Sequence, residues 1–178
     1  LDGAPLGPVR VLITAGEPPD SADMRRLART LAAFNAYGPT EASVCASWHR
    51  IDPHAGYDHG IPIGRPIANT AMSIRDRHGR RMPLGALGEI WLAGAGLAHG
   101  YAGRPELTAE RFPEAGGERF YRTGDAGVLR DDGEVLYAGR FDGQIKLNGH
   151  RVELEEVEAA LRALPGVAQA AVAVAQGR

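Results

Sequence analysis

Between Ile61 and Gly139, glycine-bearing turns interrupt the chain so often that no long helix fits. The apolar runs AMSIRD, GEIWLAG, AGVLR and EVLYAG are short, and RHGR, PLGALG and RDDG separate them. Runs of this length, bounded by Gly, Pro and Asp, pair as strands because the turn residues reverse the chain before a helix can propagate. Asp132-Gly133, set between Val128-Leu129 and Val135-Leu136, is a hairpin signal. Residues 61–139 therefore read as mainly antiparallel. The 24 glycines and 12 prolines of the 178 residues suit such a chain of turns and short elements.

The flanks have other textures. VRVLITAG (9–16) is apolar, β-branched and closed by Gly, the pattern of a buried strand. SADMRRLARTLAAF sets Met24, Leu27, Leu31 and Phe34 on one helical stripe, with Asp20 or Ser21 as cap. Strand, helix and then the turn NAYGPTE make an α/β pattern. That order puts the turn near a strand end, where open α/β sheets bind ligands. After Gly139, QIKLNGHRV reads as a hairpin turning at Asn148-Gly149. A helix follows, with Leu154, Val157, Leu161 and Leu164 on one face, acidic residues at its start and Pro165-Gly166 stopping it. VAQAAVAVA is expected to be the next strand. The expected fold class is mixed α/β and β, in three segments. Residues 1–60 end an α/β sheet, residues 61–139 are mainly antiparallel, and residues 140–178 begin a small α+β unit. Strand patterns at both ends of the sequence suggest a piece of something larger.

Bulk properties narrow the function classes. A net charge of −2 gives no electrostatic case for nucleic acid or an anionic membrane. One cysteine excludes an internal disulfide and fits a reducing compartment, so a cytoplasmic setting is expected. No apolar run approaches the ~20 residues of a membrane span.

Three blocks carry chemistry. In FNAYGPTEASVC (34–45), Gly38 permits a close backbone approach and Tyr37 offers a flat face for a purine. Thr40 offers a hydroxyl to a phosphate oxygen, and Glu41 a hard oxygen suited to Mg²⁺. A polar surface turn would need none of these, yet the block alone does not decide between the two. In YRTGDAG (121–127), Asp125 is placed to accept ribose hydroxyls or simply to close a β-turn. In LYAGRFDGQIKLNGHRVE, Arg140 has the planar fork that suits phosphate or ribose oxygens, and Asp142 beside Gly143 sits where a hinge could turn. GAGLAHG (94–100) has the wrong spacing for a dinucleotide loop. His49, His54 and His59, with Asp52 and Asp58 among them, lie in a Pro- and Gly-rich stretch that frames a metal poorly. Cys45 has no adjacent His to activate it as a nucleophile.

Taken together, in this order and wording, the three blocks resemble the adenylation domains of nonribosomal peptide synthetases, in the AMP-forming ligase superfamily. GEIWLAGAGLAHGYAGRPELTAERF resembles a further block of that family, and the resemblance spans essentially the whole chain. It implies part of an adenylate-forming fold: the C-terminal part of the large subdomain, then the first part of a C-terminal lid. It implies that Asn35 and Tyr37 lie against adenine, Tyr37 stacking, with Gly38 beside them. Thr40 would touch the α-phosphate and Glu41 would help hold Mg²⁺. Asp125 would bind the ribose hydroxyls, Tyr137 would flank the nucleotide, and Arg140 would contact ribose or phosphate. Asp142 would be the lid hinge, and the loop Asn148–Glu153 would face the nucleotide in one lid position and a carrier-protein thiol arm in the other. Ile13, Ala15, Ala36, Val44 and Cys45 match the positions that line the amino-acid side chain. All five are apolar or small, which suits an aromatic amino acid or a leucine-like one.

The reaction implied is amino acid plus ATP giving aminoacyl-AMP and pyrophosphate, followed by transfer to a carrier-protein phosphopantetheine thiol. An inserted tailoring domain or a small accessory protein would be further partners. The family's phosphate loop and its catalytic lid Lys do not occur in this sequence, since Lys146 belongs to the lid's first hairpin. The expectation is that these 178 residues alone show no amino-acid-dependent turnover and fold only partially. An acyl- or aryl-CoA ligase of the same superfamily is the nearest alternative, which the form of GQIKLNGHRVELEEVEAAL argues against. A non-catalytic nucleotide-binding or interaction piece is the other.

Overall fold

The computed structural model describes residues 7–142, 144–147 and 150–173, and it leaves the side chains of 145–147, 150, 151 and 155 aside. The first sheet has the order β1-β2-β3-β4, formed by β1 (Val11–Ala15), β2 (Ala32–Tyr37), β3 (Ser47–Arg50) and β4 (Arg65–Pro66). β1 and β2 run parallel, joined by α1 (Ser21–Ala28), and the other pairings are antiparallel. Asp20 caps α1 by accepting the Asp23 N–H at 2.8 Å. Met24 of α1 is buried in one cluster with Ala33, Ile51 and Ile61, and Leu27 of α1 is buried as well.

Two expectations here need correction. The helical stripe was read through Phe34, but α1 ends at Ala28 and Phe34 lies in β2. The run Leu31-Ala32-Ala33-Phe34 suits either period, and parallel pairing with β1 decides for the strand. The second concerns β1, expected to be buried on both faces. One face, carrying Val11 and Ile13, is exposed, at 54% and 63%. Register continues that face through Phe34 and Ala36 to Trp48, which is 48% exposed.

The second sheet is antiparallel, with β5 (Thr70–Arg75), β6 (Leu87–Gly94), β7 (Glu114–Ala115), β8 (Glu118–Leu129) and β9 (Val135–Arg140). β6 lies between β5 and β8, and Ile90 and Leu92 on it are fully buried. Asp132-Gly133 lies in the β8–β9 hairpin, as its sequence suggests. Tyr37, Ala42 and Ala46 of the first region pack with Ile63, Ile74, Ile90, Leu92 and Val135 in one core. α2 (Pro105–Arg111), not foreseen from the sequence, sits over β8.

β10 (Gln144–Leu147) and β11 (His150–Glu153) form the expected hairpin, whose turn at Asn148-Gly149 lies outside the described residues. α3 (Leu154–Arg162) follows. Residues 167–173 take no strand, contrary to the reading of VAQAAVAVA, whose last two residues lie outside the described set. A strand needs a neighbour to pair with, and here the Val172 N–H goes instead to the Glu158 carboxylate of α3, at 3.0 Å.

Candidate functional site

Where β2 ends, the chain turns at Gly38-Pro39 into a short 3₁₀ turn, Thr40–Ala42. Gly38 is required there by space. A Cβ would lie 2.6 Å from the Ala46 nitrogen and 2.7 Å from the Val44 carbonyl, both backbone atoms that cannot swing aside. Opposite this turn, β8 bulges. Arg122 pairs with Trp91 and Ala126 with Glu89, so Thr123-Gly124-Asp125 together face Ile90. Bulges of this kind re-aim side chains, and this one turns the Asp125 carboxylate inward, where it is 2% exposed.

That carboxylate is held from two directions. The Tyr37 hydroxyl donates to Oδ2 at 2.6 Å, and Arg140 Nη1 donates to Oδ1 at 2.5 Å. Arg140 also grips Asp142 through Nε at 2.6 Å and Nη2 at 2.7 Å, so one guanidinium serves two carboxylates. Gly124, at φ +74°, makes room for this pair. A Cβ there would fall 2.5 Å from Asp142 Oδ2 and 2.7 Å from Arg140 Nη2.

The charges follow the geometry. Burial pulls the Arg140 guanidinium down, but Asp142 and Asp125 outweigh it and hold it above its ordinary value. Burial would raise Asp142, and the Arg140 hydrogen bonds and charge hold it below the usual carboxylate range. Burial first, and then the Asp125 charge, push the Tyr137 phenol up to about 12. The same two causes raise Tyr37 well above its usual value.

A cleft of about 590 Å³ opens beside this network. Asn35, Ala36, Tyr37, Gly38, Tyr137, Arg140 and Asp142 line it, which brings residues of the first and third sequence blocks to one wall. Asn35 is buried and donates from Nδ2 to the Pro62 carbonyl at 2.9 Å, which fixes its amide at the cleft floor. Tyr37 is 5% exposed and belongs to the core, so only part of its ring borders the cleft. Asp125 is not a lining residue. It stands behind Tyr37 and Arg140.

Thr40 and Glu41 do not line this cleft either. Thr40 is exposed, while Glu41 is buried and accepts a hydrogen bond from the Tyr101 hydroxyl at 2.7 Å. Among the described residues no group of three or more His, Cys, Asp or Glu could hold a metal ion. A single carboxylate such as Glu41 still fits Mg²⁺, which takes most of its ligands from phosphates and water.

The five expected side-chain-lining residues divide. Ala36 lines the cleft, and Ala15 pairs with it in register. Ile13 lies on the exposed sheet face, Val44 is 67% exposed with φ 68°, and Cys45 is half-buried, its thiol 3.7 Å from the Ser47 carbonyl. The histidine row is not a cluster. His49 is engaged by Glu134 at 2.8 Å and by the Tyr57 hydroxyl at 3.0 Å, which braces β3 against the β8–β9 hairpin.

Sequence reading missed several cleft residues. Gly16, Glu17, Pro18 and Pro19 after β1 form one rim, and Gly60, Ile61 and Ile63 another. The GEPP run after a strand was the available signal for the first rim. Gln144, at the start of β10, also lines the cleft and donates to the Glu153 carboxylate.

In sequence and fold the chain is similar to known proteins. The family described as AMP-binding enzyme matches residues 2–102. Tyrocidine synthase 3 of Brevibacillus parabrevis is 46% identical over 153 residues, 84% of this chain and 2% of the relative. The structure of holo-PA1221, an NRPS protein containing adenylation and PCP domains bound to a vinylsulfonamide inhibitor, superposes with a TM-score of 0.84 at 38% identity. It covers 92% of this chain and 30% of that one. The Vibrio cholerae adenylation domain AlmE, in complex with glycyl-adenosine-5′-phosphate, gives a TM-score of 0.76 at 32% identity, covering 86% of this chain and 30% of that one. The chain thus spans 2% of the first curated relative's length and about a third of these solved chains. Its sequence and its mixed α/β and antiparallel architecture lead to one conclusion: the chain belongs to the AMP-binding enzyme family, as part of an adenylation domain of the nonribosomal peptide synthetase type.

Proposed function

We propose that this chain forms the nucleotide wall and hinge of an adenylation domain that activates an aromatic or large apolar amino acid. ATP and the amino acid give aminoacyl-AMP and pyrophosphate, and the aminoacyl group then passes to a carrier-protein phosphopantetheine thiol. The observation that carries the reading is the convergence of two distant sequence blocks, through Asn35, Tyr37, Tyr137, Arg140 and Asp142, on one cleft backed by Asp125.

In this reading the purine lies along Tyr37 beside the Asn35 amide. The ribose hydroxyls reach Asp125 by taking the place of the Tyr37 hydroxyl or of one Arg140 bond. Arg140 remains charged at any working pH, because two carboxylates hold it so, and it is available to a ribose or phosphate oxygen. Thr40 and Glu41 follow in the same turn; Thr40 would meet a phosphate oxygen, and Glu41 would hold Mg²⁺, whose charge would offset that of the phosphates. Attack of the carboxylate on the α-phosphate needs alignment and charge neutralisation more than proton transfer. Asp142 is the hinge of the lid. Ala15 and Ala36 would leave room beside the cleft for a large side chain; Ile13, Val44 and Cys45, which do not line the cleft, would add apolar surface around it, and none of the five would pair with a charged substrate.

The test is amino-acid-dependent ATP–pyrophosphate exchange by the protein that carries this chain, across the twenty amino acids, with Asp125→Ala as control. Exchange is expected with an aromatic or large apolar amino acid and is lost in the control. Exchange with a different amino acid would discard the pocket reading and keep the reaction. Exchange only with aryl or acyl acids would move the protein to the acyl-CoA ligase branch.

A further inference from the structure

The sequence blocks place nothing special on Glu89, yet it makes the hydrogen bonds that shape the bulge bearing Asp125. On β8 three residues face one, and such a bulge strands backbone groups that the β6 ladder cannot reach. Several are met by specific partners. Thr123 Oγ1 accepts the Asp125 N–H at 3.0 Å and donates to the Ile90 carbonyl at 2.7 Å. Arg140 donates to the Thr123 carbonyl, and the Phe141 N–H to the Gly124 carbonyl. The Gly124 N–H goes to Glu89 Oε1 at 3.0 Å. The other Glu89 oxygen accepts from Trp91 Nε1 at 3.0 Å and from Arg122 Nε and Nη2 at 3.2 and 3.0 Å. Glu89 is 8% exposed, so water has little access to replace these bonds.

We infer that Glu89 is a positioning residue for nucleotide recognition: it locks the Gly124 turn, and through it aims Asp125 at the ribose position. The inference rests on the proposed role of Asp125. Its chemistry is specific, because both Glu89 oxygens face donors. An amide in its place must set an NH₂ against either the Gly124 N–H or the Trp91–Arg122 pair, whichever way it flips. Glu89→Gln is therefore a near-isosteric change that breaks the lock.

Two readouts separate this role from the reading beneath it. In the intact protein, Glu89→Gln is expected to raise KM for ATP roughly tenfold, the scale of one charge-assisted hydrogen bond, and to leave KM for the amino acid unchanged. It is also expected to collapse the preference for ATP over 2′- and 3′-deoxy-ATP. A uniform fall in kcat with that preference intact would overturn the positioning role. Wild-type indifference to the deoxynucleotides would instead overturn ribose recognition by Asp125. Amide hydrogen exchange tests the lock without any nucleotide. Gly124 is expected to lose protection while Tyr121 and Val128 keep theirs, and unchanged Gly124 protection would sink the inference. Should Glu89→Gln fail to fold, Arg122→Gln, which loosens Glu89 without removing it, is expected to shift the deoxynucleotide preference in the same direction, and no shift would overturn the role.

Discussion

Two tyrosines border the cleft, and both phenols are held neutral by burial and by the neighbouring Asp125 charge. For Tyr137 the sign is fixed by comparing folded and unfolded states. Its folded value of about 12 exceeds the ordinary ~10, so the folded state keeps the proton longer. The stability this gives is complete below pH ~10 and is lost as pH rises through about 12. A phenolate absorbance titration is expected to show late-ionising tyrosine, and Tyr137→Phe removes one such step. A Tyr137 that ionised near pH 10 would contradict its placement. Asp142 works in the opposite direction. Its lowered value makes its contribution complete above about pH 4 and lost as pH falls further. Residue chemistry of this kind was half legible in advance. Tyr37, Asp125 and Arg140 stood out by type and motif, but no spacing announces that Arg140 would divide its fork between two acids.

At the scale of elements, β6 carries the second sheet. Leu92 is fully exposed to other side chains and not at all to water, in contact with the core that joins both sheets. Leu92→Ala is expected to cost about 2–5 kcal/mol, read from urea unfolding, because the surrounding strands cannot collapse into the gap. A loss under 1 kcal/mol would mean that β6 is not the centre of this core. Strands bounded by glycine turns were readable here, since alternation and turn chemistry are local. The YRTGD segment was not, because its conformation depends on β6. As a free peptide the triplet suits a turn, and in the sheet it is a bulge within the 12-residue β8. VAQAAVAVA failed for a related reason: apolar periodicity states a capacity for pairing, while pairing itself needs a partner within reach.

For the molecule as a whole, the bare face of the first sheet is the dominant fact. Val11, Ile13 and Trp48 lie exposed along it in register, and patches of this kind promote association. The solved relatives are about three times longer, and this chain covers 30% of each of them. The 178 residues in isolation are expected to bind a hydrophobic fluorescent dye, and Trp48→Ser is expected to weaken the signal. Absence of dye binding would show that the face is closed in solution. Fold class and motif order were legible because they are carried by composition and local wording. The exposed face was not, because a buried strand and a bare one have the same sequence pattern.

The bond between Tyr37 and Asp125 joins residues 88 positions apart. At a synthesis rate of about 5–20 residues per second, Asp125 is made roughly 4–18 s after Tyr37. During that interval the early strand and its turn have no acid to close against. The cleft is therefore a late product of the chain's own manufacture, and slowing translation between the two residues lengthens the time that its aromatic wall stands open.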